Sequence, residues 1–146
     1  MRYLYSIIGL IGLAITSSSA IACSCGDVSI KEIVDASKYI FVAEILSAKK
    51  NPDAKDHWEN VVASFEIVDV VKGSPHELKG LFSGYGGGDC GVPFLVGHKM
   101  LVFTNDGIVT MCGATRSLGL FENDAEHIQL LRSYVEDGKA FDFDQY

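Results

Sequence analysis

The sequence predicts an all-β domain with flanking helices, a small closed barrel of five antiparallel strands with helices packed outside it. Three observations carry this. Short apolar runs of strand length are separated by glycine, proline and asparagine turn signals. Helical spacing occurs in two places, one of them near the C-terminus. The chain has 4 cysteines, Cys23, Cys25, Cys90 and Cys112, and all follow a segment that reads as an export signal.

That segment comes first. Arg2 supplies a positive start, Leu4 to Ile15 is an almost unbroken apolar run, Thr16 to Ser19 is polar, and Ala20-Ile21-Ala22 is an A-x-A cleavage signal. The run is shorter than the ~20 residues that span a bilayer, so residues 1–22 are expected to be a signal peptide and the protein to be secreted or periplasmic. Cleavage after Ala22 makes Cys23 the first mature residue and leaves 124 residues, enough for a single domain with its own core. The rival is lipoprotein processing, in which an acylated Cys23 anchors the protein to a membrane; Ala20 stands where such signals carry a larger aliphatic side chain. Only Arg2 is lost with the leader, so the mature chain keeps 11 basic and 19 acidic residues, net −8. Nucleic acid is not an expected partner at that balance.

The elements then follow in order. Ser29-x-x-Glu32 has capping-box spacing, and Ile30, Ile33 and Val34 form one stripe, predicting a helix over 29–37. Tyr39 to Leu46 is a β-rich run, and polar residues 47–60 read as a long hairpin loop in which Trp58 is a packing lid. Val61 to Lys72 alternates, with Val61, Ala63, Phe65 and Ile67 on one face and Val68, Val70 and Val71 on the other. Leu78 to Phe82 is a shorter strand. Ser83 to Asp89 is a glycine loop that delivers Cys90, without the spacing of a phosphate-cradling motif. Lys99 to Thr104, the turn Asn105-Asp106-Gly107 and Ile108 to Cys112 read as a hairpin. Asn123-x-x-Glu126 opens a helix over about 123–137, with Ile128, Leu131 and Val135 at core spacing.

An even cysteine count in an exported chain implies disulfides. Four cysteines allow three pairings, and Cys23 to Cys25 would close a very tight ring that disulfide geometry disfavours. Two crossed pairings remain, each stapling the N-terminal segment to both Cys90 and Cys112. Loops of this length are worth roughly 4 kcal/mol per bridge in the chain-entropy account. A four-cysteine zinc site wants C-x2-C pairs, and a redox C-x-C wants neighbouring cations where this chain has Asp27. No cofactor of the protein's own is expected. His57, His76, His98 and His127 are scattered without ligand spacing, no G-x-S-x-G is present and no carboxylate pair is placed by sequence, so an enzyme is not expected.

Taken together, these pieces resemble the N-terminal domain of the tissue inhibitors of metalloproteinases, the netrin-like domain with its OB-fold. The residues that carry the likeness are Cys23-Ser24-Cys25 at the mature start, Ser64 to Gly73 as a strand closing on Lys-Gly, Cys90-Gly91-Val92, Gly97 to Phe103, and Asp106-Gly107 ahead of Cys112. The resemblance covers about residues 23–116. It implies an OB-fold-like barrel and the pairs Cys23–Cys90 and Cys25–Cys112. It also implies inhibition of a zinc metallopeptidase: the Cys23 amine and carbonyl would chelate the target's zinc, Ser24 would enter its S1′ pocket, and Asp89, Cys90 and Gly91 would flank the wedge. Gly26-Asp27 after the C-x-C and the lack of further cysteines depart from the family pattern. A non-inhibitory netrin-like binding module and a lipid-anchored envelope protein are the alternatives.

Overall fold

A computed structural model describes residues 23–119 and 123–138. The signal-peptide reading of 1–22 lies outside the described residues. In chain order the elements are α1 (Ile30–Ala36), β1 (Tyr39–Lys50), β2 (Val61–Lys72), β3 (Leu81–Ser83), β4 (Lys99–Thr104), β5 (Arg116–Ser117) and α2 (Asp124–Asp137). The strands form one antiparallel sheet in the order β3-β2-β1-β4-β5.

The central strand β1 is buried on both faces, which is why its sequence reads as a continuous apolar run rather than an alternating one. Tyr39, Phe41, Ala43 and Ile45 enter one core with Ala63, Leu81, Met100, Val102 and Val109. Ile40 and Val42 enter a second core with Val34 of α1, Leu101 and Phe103 of β4, and Leu131 of α2. The helices therefore cover one face of the sheet, and the segments after β2, β3 and β4, with Leu78, Val92, Phe94 and Val109, cover the other.

Both helices form for legible reasons. The Ser29 hydroxyl accepts from the Glu32 N–H at 3.3 Å while the Ser29 N–H donates to the Glu32 carboxylate at 2.9 Å, the expected capping box. Helix α2 buries Leu131 with Ile128 and Val135 beside it, and ends on Gly138 at φ 63°. Its start differs from the expected cap. Asn123 makes no side-chain cap bond, and the Asp124 carboxylate instead accepts from the Gly119 N–H at 2.6 Å and pairs with Arg116. Arg132 secures the helix to β2, donating to both Asp69 carboxylate oxygens and to the Val70 carbonyl.

The β1–β2 ladder runs from Ile40↔Lys72 to Lys50↔Val61 and slips register three times, leaving Val71, Val68 and Leu46 unpaired. Each slip is a bulge that bends the sheet. Two of these residues, Leu46 and Val68, are thereby turned out to solvent. β1 also extends to Lys50, so the loop expected over 47–60 is shorter, residues 51–60, and carries a 3-10 turn at His57–Glu59 that packs on β3. β3 starts at Leu81 rather than Leu78, because the chain before it forms a 3-10 turn at Pro75–Glu77.

The sheet is open, where a closed barrel was expected. β3 and β5 are its edges. The returning strand expected over Ile108 to Cys112 makes only isolated bridges, Phe82 to Ile108 (parallel) and Gly91 to Thr110, before a 3-10 turn at Met111–Gly113. The turn itself consumes the backbone groups a ladder would need. The Thr104 hydroxyl accepts from the Gly107 N–H and donates to the Ile108 carbonyl, and Asp106 accepts from the Ile108 N–H. What spans the gap is the single bridge, with the Phe82 N–H donating to Gly107 and the Val109 N–H donating to Phe82.

Candidate functional site

The N-terminal segment is held by two disulfides, Cys23–Cys90 and Cys25–Cys112, with Cα separations of 5.3 Å each. No described cysteine is free. The two anchors adjoin one another, because the Met111 N–H donates to the Cys90 carbonyl at 2.9 Å and Gly91 bridges to Thr110. A chain three residues long is thus tied at both ends to neighbouring points. Ser24, between the ties, is exposed. Cys23 Sγ lies 3.5 Å from the Gly87 carbonyl; this is a packing contact, since a disulfide sulfur has no proton to donate.

The loop that carries Cys90 is built around Asp89. Its carboxylate accepts from the N–H groups of Tyr85 at 2.6 Å, Gly86 at 2.9 Å and Gly91 at 3.0 Å. Those bonds hold its carboxyl below the usual carboxylate range, the Gly91 N–H contributing most, with a smaller effect from the charge of His57. The glycines have a positional reason here. A side chain at Gly84 would meet the Asp89 carboxylate at 2.6 Å, and one at Gly91 would meet the Gly84 backbone at 2.5 Å. The glycine loop that delivers Cys90 is a knot of backbone drawn around one carboxylate. It ends with Cys90 in the left-handed region at φ 57°, a conformation a non-glycine residue adopts only when its surroundings impose it. Ser83 fixes the loop from below, donating to the Val109 carbonyl and accepting from the Val92 N–H.

Five of the six residues singled out from sequence, Cys23, Cys25, Asp89, Cys90 and Gly91, are thus brought together by disulfides and loop bonds, and Ser24 is carried between the first two. The Asp89 carboxylate, however, is spent on loop amides rather than offered outward. Sequence reasoning missed the apolar side chains beside the staple. Tyr85, in the loop leading to Cys90, is 58% exposed, and Met111, immediately before Cys112, is 56% exposed. Their adjacency to cysteines was the available signal. Trp58 is half-buried, its ring 4.3 Å from that of His57 in the turn on β3.

Among the described residues no group of three or more His, Cys, Asp or Glu is placed to hold a metal, and no helix is long and apolar enough to cross a membrane. No family model and no curated protein matches the chain.

Proposed function

We propose that the protein is an exported inhibitor of zinc metallopeptidases of the netrin-like, tissue-inhibitor type, acting through the Cys23 terminus. The observation that carries this reading is the double staple: Cys23–Cys90 and Cys25–Cys112 hold the segment at two adjoining points and leave Ser24 exposed between them. A segment ordered before binding spends little conformational entropy on association. Catalytic zinc keeps an open position, and a neutral amine with a carbonyl oxygen fills it acceptably. Ser24 then enters the pocket beside the zinc, with Asp89, Cys90 and Gly91 forming the adjoining ridge. An OB-like barrel belongs to the same reading, and its support is the parallel Phe82–Ile108 bridge, which ties edge strand β3 to the connection between β4 and β5.

Chelation requires a free α-amino group on Cys23, and that requirement is the test. Intact-mass and N-terminal analysis of the exported protein should give a chain beginning at Cys23, bridged and unacylated. Titration against a panel of zinc endopeptidases should then show inhibition that vanishes when one alanine is added before Cys23. An acylated Cys23 overturns the reading in favour of a lipid-anchored protein. A free terminus without inhibition, or inhibition indifferent to the added alanine, overturns it in favour of a binding module that works through another surface.

A further inference from the structure

A groove of about 560 Å3 runs between α1 and the segment from Phe103 to Gly113. Its lining mixes apolar Ile33, Phe103 and Ile108 with the hydroxyl and amide side chains of Ser37, Thr104, Asn105 and Thr110, and Val28, also lining it, is 55% exposed. Three carboxylates line it, Asp27, Glu32 and Asp106, and no lysine, arginine or histidine does so among the described residues. The two lysines nearest in sequence are engaged elsewhere. Lys31 pairs with Asp35 and lies over the Tyr134 ring, and Lys38 lies over the Tyr39 ring near Glu77. The groove begins at the staple, since Asp27 and Val28 follow Cys25 while Thr110 and Gly113 flank Cys112.

We propose that this groove seats a cationic, apolar-flanked peptide segment of a protein partner. Charge complementarity selects the occupant: three negative groups around an apolar floor suit lysine or arginine side chains on a chain that also carries aliphatic ones. A small polyamine would satisfy the carboxylates and leave the floor uncovered, whereas an acidic or neutral apolar segment would cover the floor and leave the charge of the carboxylates uncompensated. The volume is of the size that seats a short stretch of peptide. The inference does not depend on zinc chelation, because the groove lies beyond Cys25 and uses none of Cys23, Ser24 or Asp89.

The test is titration of the isotopically labelled, disulfide-bonded full chain with a capped hexapeptide alternating leucine and lysine, followed by amide shifts. Shifts should concentrate at Val28, Ile33, Asp106 and Ile108, and a leucine–glutamate counterpart should produce none. The triple variant Asp27→Asn, Glu32→Gln, Asp106→Asn should bind roughly tenfold more weakly, the sum of three modest surface charge interactions. It should also fold, because glutamine retains a capping box and asparagine retains the side-chain oxygen that accepts from the Ile108 N–H. A control triple outside the groove's lining, Asp53→Asn, Glu126→Gln, Glu136→Gln, should bind as the parent does. Equal weakening in both triples would mean attraction to net charge alone and overturn the proposal. So would shifts confined to another surface, or none at millimolar peptide.

Discussion

The Met111 N–H donates to the Cys90 carbonyl at 2.9 Å, and this one bond sets two anchor cysteines, Cys90 and Cys112, side by side. Through it the long loops closed by the two disulfides converge on a single place. The N-terminal segment is positioned by that convergence.

Disulfide mapping of the purified, oxidised protein by proteolysis and mass spectrometry should return Cys23–Cys90 and Cys25–Cys112. Replacing Cys25 and Cys112 together by alanine should cost about 2–4 kcal/mol in denaturant unfolding while the other bridge survives. Recovery of the opposite crossed pairing would contradict the geometry around Met111.

Asp89 makes the glycine loop acid-sensitive. Its folded pKa lies below the ordinary 3.8, so its contribution is complete above that value and is lost as pH falls through the lower, folded value. Hydrogen-exchange protection at Tyr85, Gly86 and Gly91 should therefore persist at mildly acidic pH and fade only in strong acid. Asp89→Asn should weaken protection at Tyr85 most. The oxygen that serves Tyr85 differs from the one shared by Gly86 and Gly91, and an amide supplies only one. Uniform protection in that variant would show that the loop is held by something other than its carboxylate.

Gly91→Ala should destabilise by about 1–3 kcal/mol, since the added methyl meets backbone rather than a movable side chain. Gly26→Ala is the matched control, with open space around it, and should leave the thermal midpoint close to that of the parent. Similar losses in both would show that the close approach of Gly91 to the Gly84 backbone is not what the methyl disturbs.

Leu131→Ala should cost about 2–5 kcal/mol in urea unfolding, because the side chain is fully buried between α2 and the sheet. The Leu130→Ala change beside it, on an exposed position, should cost little. Comparable losses would mean that α2 does not sit on the second core as described.

Ser24→Leu separates function from stability. The residue is exposed, so its thermal midpoint should stay near the parent's, while inhibition of any zinc endopeptidase that the parent inhibits should change by roughly tenfold in either direction, the scale of a pocket contact. An unchanged inhibition constant would remove Ser24 from the proposed pocket.

Much of this protein was legible from local pattern. The bounds of β2 and β4, the capping box of α1 and the core stripe of α2 each follow from neighbours within a few residues, where period and hydrogen-bond chemistry act directly. The six candidate site residues, by contrast, were assigned their roles by the family resemblance and not by local pattern. Asn123 shows where local pattern failed: its spacing suits a cap, but its side chain makes no cap bond, and the Asp124 carboxylate beside it is engaged by Arg116 and Gly119.

What only tertiary structure decided is nonlocal. Composition could narrow the cysteines to two crossed pairings, with the choice between them suggested by resemblance alone; the fold brings Cys90 to Cys23 and Cys112 to Cys25. The Asn105-Asp106-Gly107 turn signal proposed a returning strand after it, but Thr104 and Asp106 fold that segment onto itself and leave the sheet open. The two bulges that turn Leu46 and Val68 outward depend on register against a partner strand, which neither strand encodes alone. Local periodicity specifies which residues face a core. Which distant segments share that core, and whether a strand finds its last partner, is settled only when all the competing hydrogen bonds are present together.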